Sequence, residues 1–286
     1  MSGTRLGPDR GIRLHSVTVT PLPDLAALVR DLAETRWREI EVVDATGSTN
    51  ADLVARASAG EAVNGTVLIA GHQRSGRGRH TRVWQTPPGQ LAVSAAVAVE
   101  AGQTAAVGWL SLLTGLAVRT AVSEVTGVAV DLKWPNDVLA PEDGSGGGRK
   151  VSGILCEFVP TPGGGGVAVI GTGLNLDLTA AQPPIETATC LRSLTGAPVD
   201  PTALAAAYLR SLSALLRRWP DALDGLAADY RAASATLGRR VRLVLPGDRE
   251  VIGRAVDVDD QGRIVVDGPD GPVTAAAGDV THLRPV

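Results

Sequence analysis

The sequence predicts an α+β protein: a mixed central β-sheet with flanking helices, followed by a small β-barrel. Three observations predict it. Apolar runs of strand length, Leu91 to Val99 and Val167 to Leu174, alternate with segments whose apolar residues recur at helical spacing. After Leu237 the chain breaks into short β-rich runs separated by turn residues, the pattern of a small barrel. No apolar run has the ~20 residues that a membrane-crossing helix needs.

Taken in order, residues 1–23 carry no period and read as a loose N-terminal arm, and Met1 to Arg13 lacks the apolar stretch of a signal peptide. From Asp24, the residues Leu25, Leu28, Val29 and Leu32 suggest a short helix, and Ile40 to Val43 a strand. Gly47-Ser48-Thr49-Asn50 offers hydroxyl caps for a helix running to about Ser58, with Gly60 just past its end. Thr66 to Ala70 is a strand feeding an Arg-rich segment, and Leu91 to Val99 is the next. Thr104 to Val125 is the longest predicted helix, with Val107, Leu110, Leu113, Ala117, Ala121 and Val125 on one face. Strands follow at Asp131 to Trp134, Val151 to Phe158 and Val167 to Leu174, with the Gly-rich Asp143 to Gly148 as a flexible hairpin tip. Thr202 to Trp219 and Ala222 to Ala233 read as helices. Val241 to Leu245, Val251 to Val258, Ile264 to Val266 and Pro272 to Ala277 supply the barrel strands. The domains are therefore 24–236 and 237–286, and no repeat recurs.

Composition narrows the function. A 286-residue chain can bury a large domain and a small one. With 44% hydrophobic and 20% charged residues, it is too apolar for a disordered protein. A net charge of -3 argues against a nucleic-acid-binding protein, so any basic feature is local. Two cysteines, Cys156 and Cys190, make neither a disulfide scaffold nor a cysteine-based zinc site. The four histidines show no metal-ligand spacing. A cytoplasmic enzyme is the expectation.

The local basic feature is Gln73-Arg74-Ser75-Gly76-Arg77-Gly78-Arg79-His80-Thr81-Arg82-Val83-Trp84. Glycines let a backbone approach a ligand, and guanidinium groups grip carboxylates and phosphates. On its own this run is as readily a solvated loop or RNA contact as an anion site, although a single GRGR set between core strands, without the repetition of RGG-type tails, favours a catalytic loop. Three further segments decide between them: Gly47-Ser48-Thr49-Asn50, Lys133-Trp134-Pro135-Asn136-Asp137, and Arg149-Lys150-Val151-Ser152-Gly153-Ile154-Leu155-Cys156-Glu157. A fourth, Gly171-Thr172-Gly173-Leu174-Asn175-Leu176, closes the next strand.

Together and in this order, these motifs resemble the biotin protein ligase family over roughly residues 40 to 286. The resemblance implies a class II synthetase-like sheet, a C-terminal SH3-like barrel and a two-step reaction. Biotin's carboxylate attacks the α-phosphate of Mg-ATP, giving biotinyl-5'-AMP, and a lysine of a biotin carboxyl carrier protein or domain then takes the biotinyl group. It implies biotin binding by Ser48, Thr49, Asn50, Gln73, Gly76, Arg77, Gly78, Arg79, Lys150 and Gly153. Nucleotide binding falls to Arg79, Arg82, Trp84, Asn136, Lys150 and Asn175, and catalysis to Lys150, Arg79, Arg77, Lys133 and Asp137. Mg²⁺ arrives with ATP, and no protein metal ligand is assigned.

Plainer readings stand beside these. Ser48 and Thr49 could be helix caps only, Asn175 a turn residue, Asp137 an exposed strand-end charge and Lys150 a solvated hairpin lysine. Trp109, Trp134 and Cys156 read as core. Thr81 stands where the family commonly has glycine, which would stiffen the loop, and the tip before Lys150 is long. Fewer than about 40 residues precede the first core strand, too few for a winged helix-turn-helix, so no repressor function is expected. The rivals are a lipoate-protein ligase or octanoyltransferase, which lack the Arg-rich loop, and a nucleic-acid-binding module. Against the latter stand the acidic balance and only one Phe and two Tyr.

Overall fold

A computed structural model describes residues 21–80, 82–141, 148–178, 187–247 and 249–283. Most of the predicted arm, Thr81 and most of the Gly-rich tip lie outside the described residues.

The large sheet forms first in the chain. Helix α1 (Leu25–Asp31) is capped by Asp24, whose carboxylate accepts from the Ala26 and Ala27 N–H groups. Then come β1 (Glu39–Thr46), α2 (Thr49–Ser58), β2 (Thr66–Gln73) and β3 (Gln90–Val99). A short 3₁₀ turn (Ala101–Ala106) leads into α3 (Trp109–Thr126), followed by β4 (Asp131–Lys133), β5 (Asp137–Leu139), β6 (Lys150–Pro160) and β7 (Gly166–Asn175). Helices α4 (Leu191–Thr195), α5 (Pro201–Arg218) and α6 (Leu223–Ala233) complete this part. The strand order is β1-β2-β3-β7-β6-β5-β4. Only β1 and β2 run parallel and every other pair is antiparallel, so the sheet is mixed.

Strands β3 and β7 are central and buried almost throughout, which is why they read as continuous apolar runs. Alternation along them sorts the two faces. Leu91, Val93, Ala95 and Val97 meet the main core with α3 and α5. Ala96 and Val169 point the other way and pack with Leu53 of α2 in a separate cluster. The cross-strand register Gly173 opposite Ala92 and Gly153 places those residues, with Ser94 and Gly171, on this second face. That face becomes the floor of a cleft.

The C-terminal sheet has strands β8 (Arg240–Val244), β9 (Glu250–Val258), β10 (Ile264–Gly268), β11 (Gly271–Ala275) and β12 (Asp279–His282), ordered β11-β10-β9-β8-β12. All its pairings are antiparallel. Val241, Leu243, Ala255, Ile264 and Val266 are fully buried and continuous with the main core. Two tryptophans fasten the parts together. The Trp109 indole donates to Asp260 O (2.8 Å) and the Trp134 indole to Gly262 O (3.1 Å), so both are core residues as predicted.

The sequence reading departs from the structure at element ends and short elements. The helix predicted from Thr104 begins at Trp109 instead, with a 3₁₀ turn ahead of it. Gly108, its N-cap, lies so close to Gln261 O that an added Cβ would stand 2.3 Å away, so the C-terminal turn packs directly on the start of this helix. Strands β5 and β12 and helix α4 were not predicted; at three to five residues they are too short to show a period. Leu25 and Val29 are exposed, so α1 buries only Leu28 and, just beyond its end, Leu32.

Candidate active site

One cleft of about 500 Å³ gathers every predicted site residue except Gly76. Its elements come from across the chain: the start of α2, the end of β2, the Arg-rich loop, the β4–β5 turn, β6, β7 and the edge strand β12 of the C-terminal sheet.

The Ser48–Asn50 wall is built by helix capping. Ser48 caps α2, its hydroxyl accepting from Ala51 N–H (3.4 Å). Thr49 gives its backbone N–H (3.0 Å) to Gln73 Oε1, and its hydroxyl oxygen lies 3.2 Å from the same atom. Asn50 donates to Leu155 O (3.0 Å) and Glu157 Oε2 (2.9 Å), and its Oδ1 accepts from Ser94 Oγ (2.7 Å). The cap reading of Ser48 is correct, and the residue lines the cleft as well. The Asn50 amide protons are both committed within the protein, so only a lone pair of Oδ1 is left for a ligand.

The Arg-rich loop is a small hairpin. Trp84 N–H donates to Gly76 O (2.9 Å), Gly78 N–H to Arg82 O (2.7 Å), and Arg77 bridges Val83. Gly76 does not line the cleft because it lies beneath the returning strand, where a Cβ would stand 2.3 Å from Trp84 O. Arg77 reaches Glu157 (2.7 Å). Arg79 donates to Asn136 Oδ1 (3.3 Å) and Gly278 O (3.0 Å) and stands 3.6 Å from Asp279, which also pairs with Arg82. Burial pulls the Arg79 pKa below the usual guanidinium value, while Asp279 and Asp137 oppose that shift.

Beneath the loop, Lys150 Nζ pairs with Asp137 Oδ1 (2.5 Å) and lies 5.2 Å from the Trp84 ring centroid. The indole rests on glycine: a Cβ at Gly153 or Gly173 would stand 2.8 or 2.4 Å from its ring atoms. Asn175 donates to Lys150 O (3.2 Å) and Thr189 O (2.9 Å), while its Oδ1 is buried without a partner among the described residues, as is Trp84 Nε1. Lys133 lines the cleft, and no ion pair engages it among the described residues. The plain readings of Asp137 and Lys150 as lone surface charges therefore do not hold.

Chemically, the cleft is a cationic pocket with two carboxylates, Asp137 and Asp279, in its lining. Arg77, Arg79, Arg82, Lys133 and Lys150 surround space fit for an anionic, partly apolar ligand. Among the described residues no group of three His, Cys, Asp or Glu side chains could hold a metal. Cys156 packs at the margin of the core, its thiol pushed up to about 12 by burial, so it is no nucleophile. Sequence reasoning missed Ser94, Glu157, Gly278 and Asp279. A lone hydroxyl in the apolar run Leu91 to Val99 marked Ser94, and the two-residue period from Gly153 marked Glu157. Asp279 left no signal, lying 197 residues from the arginine it holds.

Comparisons with known proteins identify the family. The profile of the biotin/lipoate A/B protein ligase family matches residues 42–175, and that of the biotin protein ligase C-terminal domain matches residues 236–283. The biotin–[acetyl-CoA-carboxylase] ligase of Mycobacterium tuberculosis is 47% identical over 253 residues, which are 87% of this chain and 90% of that protein. The bifunctional ligase/repressor of Escherichia coli is 30% identical over 250 residues, 86% of this chain and 74% of its own. Among solved structures, the biotin protein ligase from Aquifex aeolicus in complex with biotin and ATP has a TM-score of 0.72 at 25% identity, covering 87% of this chain and 100% of that one. On the strength of its motifs, its fold and these relatives, the chain belongs to the biotin protein ligase family.

Proposed function

We propose that this enzyme activates biotin with ATP as biotinyl-5'-AMP and transfers it to one lysine of a biotin carboxyl carrier protein or domain. The observation that carries the reading is Lys150, held by Asp137 against Trp84 at the centre of the cleft and under the arginine loop. In the first step a biotin carboxylate oxygen bonds to the α-phosphorus and pyrophosphate leaves. In the second, a neutral carrier amine attacks the acyl carbon, AMP leaves with the bonding pair, and the amine loses a proton.

The residues suit this chemistry. Two like charges ~4 Å apart repel by roughly 1 kcal/mol in water and about 4 at an effective dielectric of 20. Lys150 would bridge the carboxylate and α-phosphate and cancel that term, stabilising charge as it develops. Ser48, Thr49 and Gln73 would face the ureido group, Arg77 and Arg79 the acyl-phosphate, and Arg82, Trp84 and Asn175 the nucleotide. For Asn175 the contact would be through its unpartnered Oδ1. Lys133, Asn136 and Asp137 would serve the phosphates and the incoming lysine. Mg²⁺ enters with ATP as part of the substrate, and the cleft's cations complement it at the departing pyrophosphate. In this reading residues 24–236 form the catalytic domain and 237–286 the SH3-like domain, acting in the cytoplasm on the carrier of an acyl-CoA or pyruvate carboxylase.

The test is exchange of labelled pyrophosphate into ATP. Biotin should drive it, and exchange with lipoate or octanoate but not biotin would overturn the assignment.

A further inference from the structure

Glu157 lies at the join between the arginine loop and the Ser48–Asn50 wall. Alternation along β6 puts it on the cleft side with Gly153 and Leu155. One oxygen, Oε2, accepts from both Arg77 Nη2 (2.7 Å) and Asn50 Nδ2 (2.9 Å). Asn50 is only 4% exposed and cannot turn away, because its other proton is held by Leu155 O and its Oδ1 by Ser94. Behind it, Gly171 leaves the room the amide occupies; a Cβ there would stand 2.2 Å from Asn50 Oδ1. Ser94 Oγ is also 2.7 Å from Thr49 Oγ1, whose proton serves this link while the Thr49 backbone N–H donates to Gln73 Oε1 (3.0 Å). One unbroken chain of hydrogen bonds thus runs from Arg77 in the loop, through Glu157, Asn50, Ser94 and Thr49, to Gln73 at the end of β2.

Resting on the assignment of that wall to the biotin ring, we propose that Glu157 is a positioning residue that holds the Arg77 end of the loop in register with the pocket wall. Closure is then coupled to a correctly seated wall. An ordinary surface ion pair would contribute little. This pair differs because its carboxylate is shared with a buried amide, and the loop's other end is pinned separately by Gly278 and Asp279. Removing Glu157 therefore frees one end of the loop and leaves the other attached.

Glu157→Gln keeps an oxygen for Asn50 and removes the charge that holds Arg77. Full-length Glu157→Gln should lose bound biotinyl-AMP about five- to tenfold faster than wild type and show a KM for biotin raised by a similar factor, as expected for one charge-assisted hydrogen bond. The adenylation rate at saturating biotin should stay within about twofold, a split that a general loss of structure would not give. Arg77→Ala should release the adenylate at least as fast, because it also removes a cation facing the acyl-phosphate, and adding Glu157→Gln to it should speed release no further, since Glu157 acts through Arg77. Arg77→Lys leaves the Asn50 side intact and gives a readout should Glu157→Gln fold poorly; it too should release faster. Unchanged release in these single variants, or effects that multiply in the double variant, would overturn the proposal. Failure of wild type to support biotin-dependent exchange would overturn the function on which it rests.

Discussion

Individual side chains in this cleft are held by opposite charges inside the protein, and that fixes what their loss should do. Lys150 and Asp137 pair at 2.5 Å with side chains about one-fifth exposed, the cation also facing the Trp84 ring. In the proposed function Lys150 bridges a carboxylate and a phosphate, so replacing it with alanine removes that cation and leaves the Asp137 carboxylate without its ion-pair partner. Adenylate formation should fall by at least about a hundredfold, the scale for loss of one preorganised charge contact. Thermal melting should show the fold intact; near-normal single-turnover adenylation would sink the role. At this scale the sequence was informative wherever a residue's type was unusual for its setting. Lys150 opening a β-strand, four arginines among glycines and Ser94 in an apolar strand all qualify. Asp279 was illegible because an aspartate after a glycine in a turn-rich domain is ordinary until its partners, Arg79 and Arg82, are known.

At the scale of elements, the Arg-rich segment is a hairpin suspended between two anchors, Glu157 on β6 and the Gly278–Asp279 corner before β12. Arg79 is the inward-facing member, joining Asn136 of the β4–β5 turn to Gly278. Arg79→Gly deletes these bonds and adds backbone freedom at the middle of the loop. With charged hydrogen bonds contributing about 1.5–3 kcal/mol each, the enzyme-bound adenylate should escape about tenfold faster or more. An unchanged half-life, measured by trapping released adenylate, would show that the loop closes without Arg79. Strands β3 and β7 were readable because they are buried on both faces, and the helices because their apolar residues keep a helical period. Strands β5 and β12 were not, since three or four residues carry no measurable period and owe their form to neighbours in the sheet. Both supply the cleft, through Asp137 and Asp279, so the part of the site that sequence left vague coincides with the shortest elements.

For the molecule as a whole, the C-terminal sheet must be held rigidly if Asp279 is to hold a loop that leaves the seven-stranded sheet. The fastening is the Asp260–Gly262 turn, which accepts the Trp109 and Trp134 indoles and presses on Gly108. Gly262 has φ +77°, and a Cβ there would lie 2.9 Å from Gly108 C and 3.1 Å from Trp109 N, backbone atoms that no rotamer change can move. Gly60 has a similar φ, +82°, with nothing within 4 Å of an added Cβ. The pair separates conformational strain from contact. Gly60→Ala should cost only the left-handed backbone penalty, about 1–2 kcal/mol. Gly262→Ala should cost that and a further 1–3 kcal/mol for the forced shift of the turn, with Tm lowered by roughly 2–4 °C per kcal/mol relative to Gly60→Ala. Because the same sheet carries Asp279, Gly262→Ala should also speed adenylate release, while Gly60→Ala, at the far end of α2, should not. Equal melting temperatures and equal release rates for the two variants would mean that the two sheets are not locked at this turn, and that Arg79 and Arg82 are positioned without the C-terminal sheet.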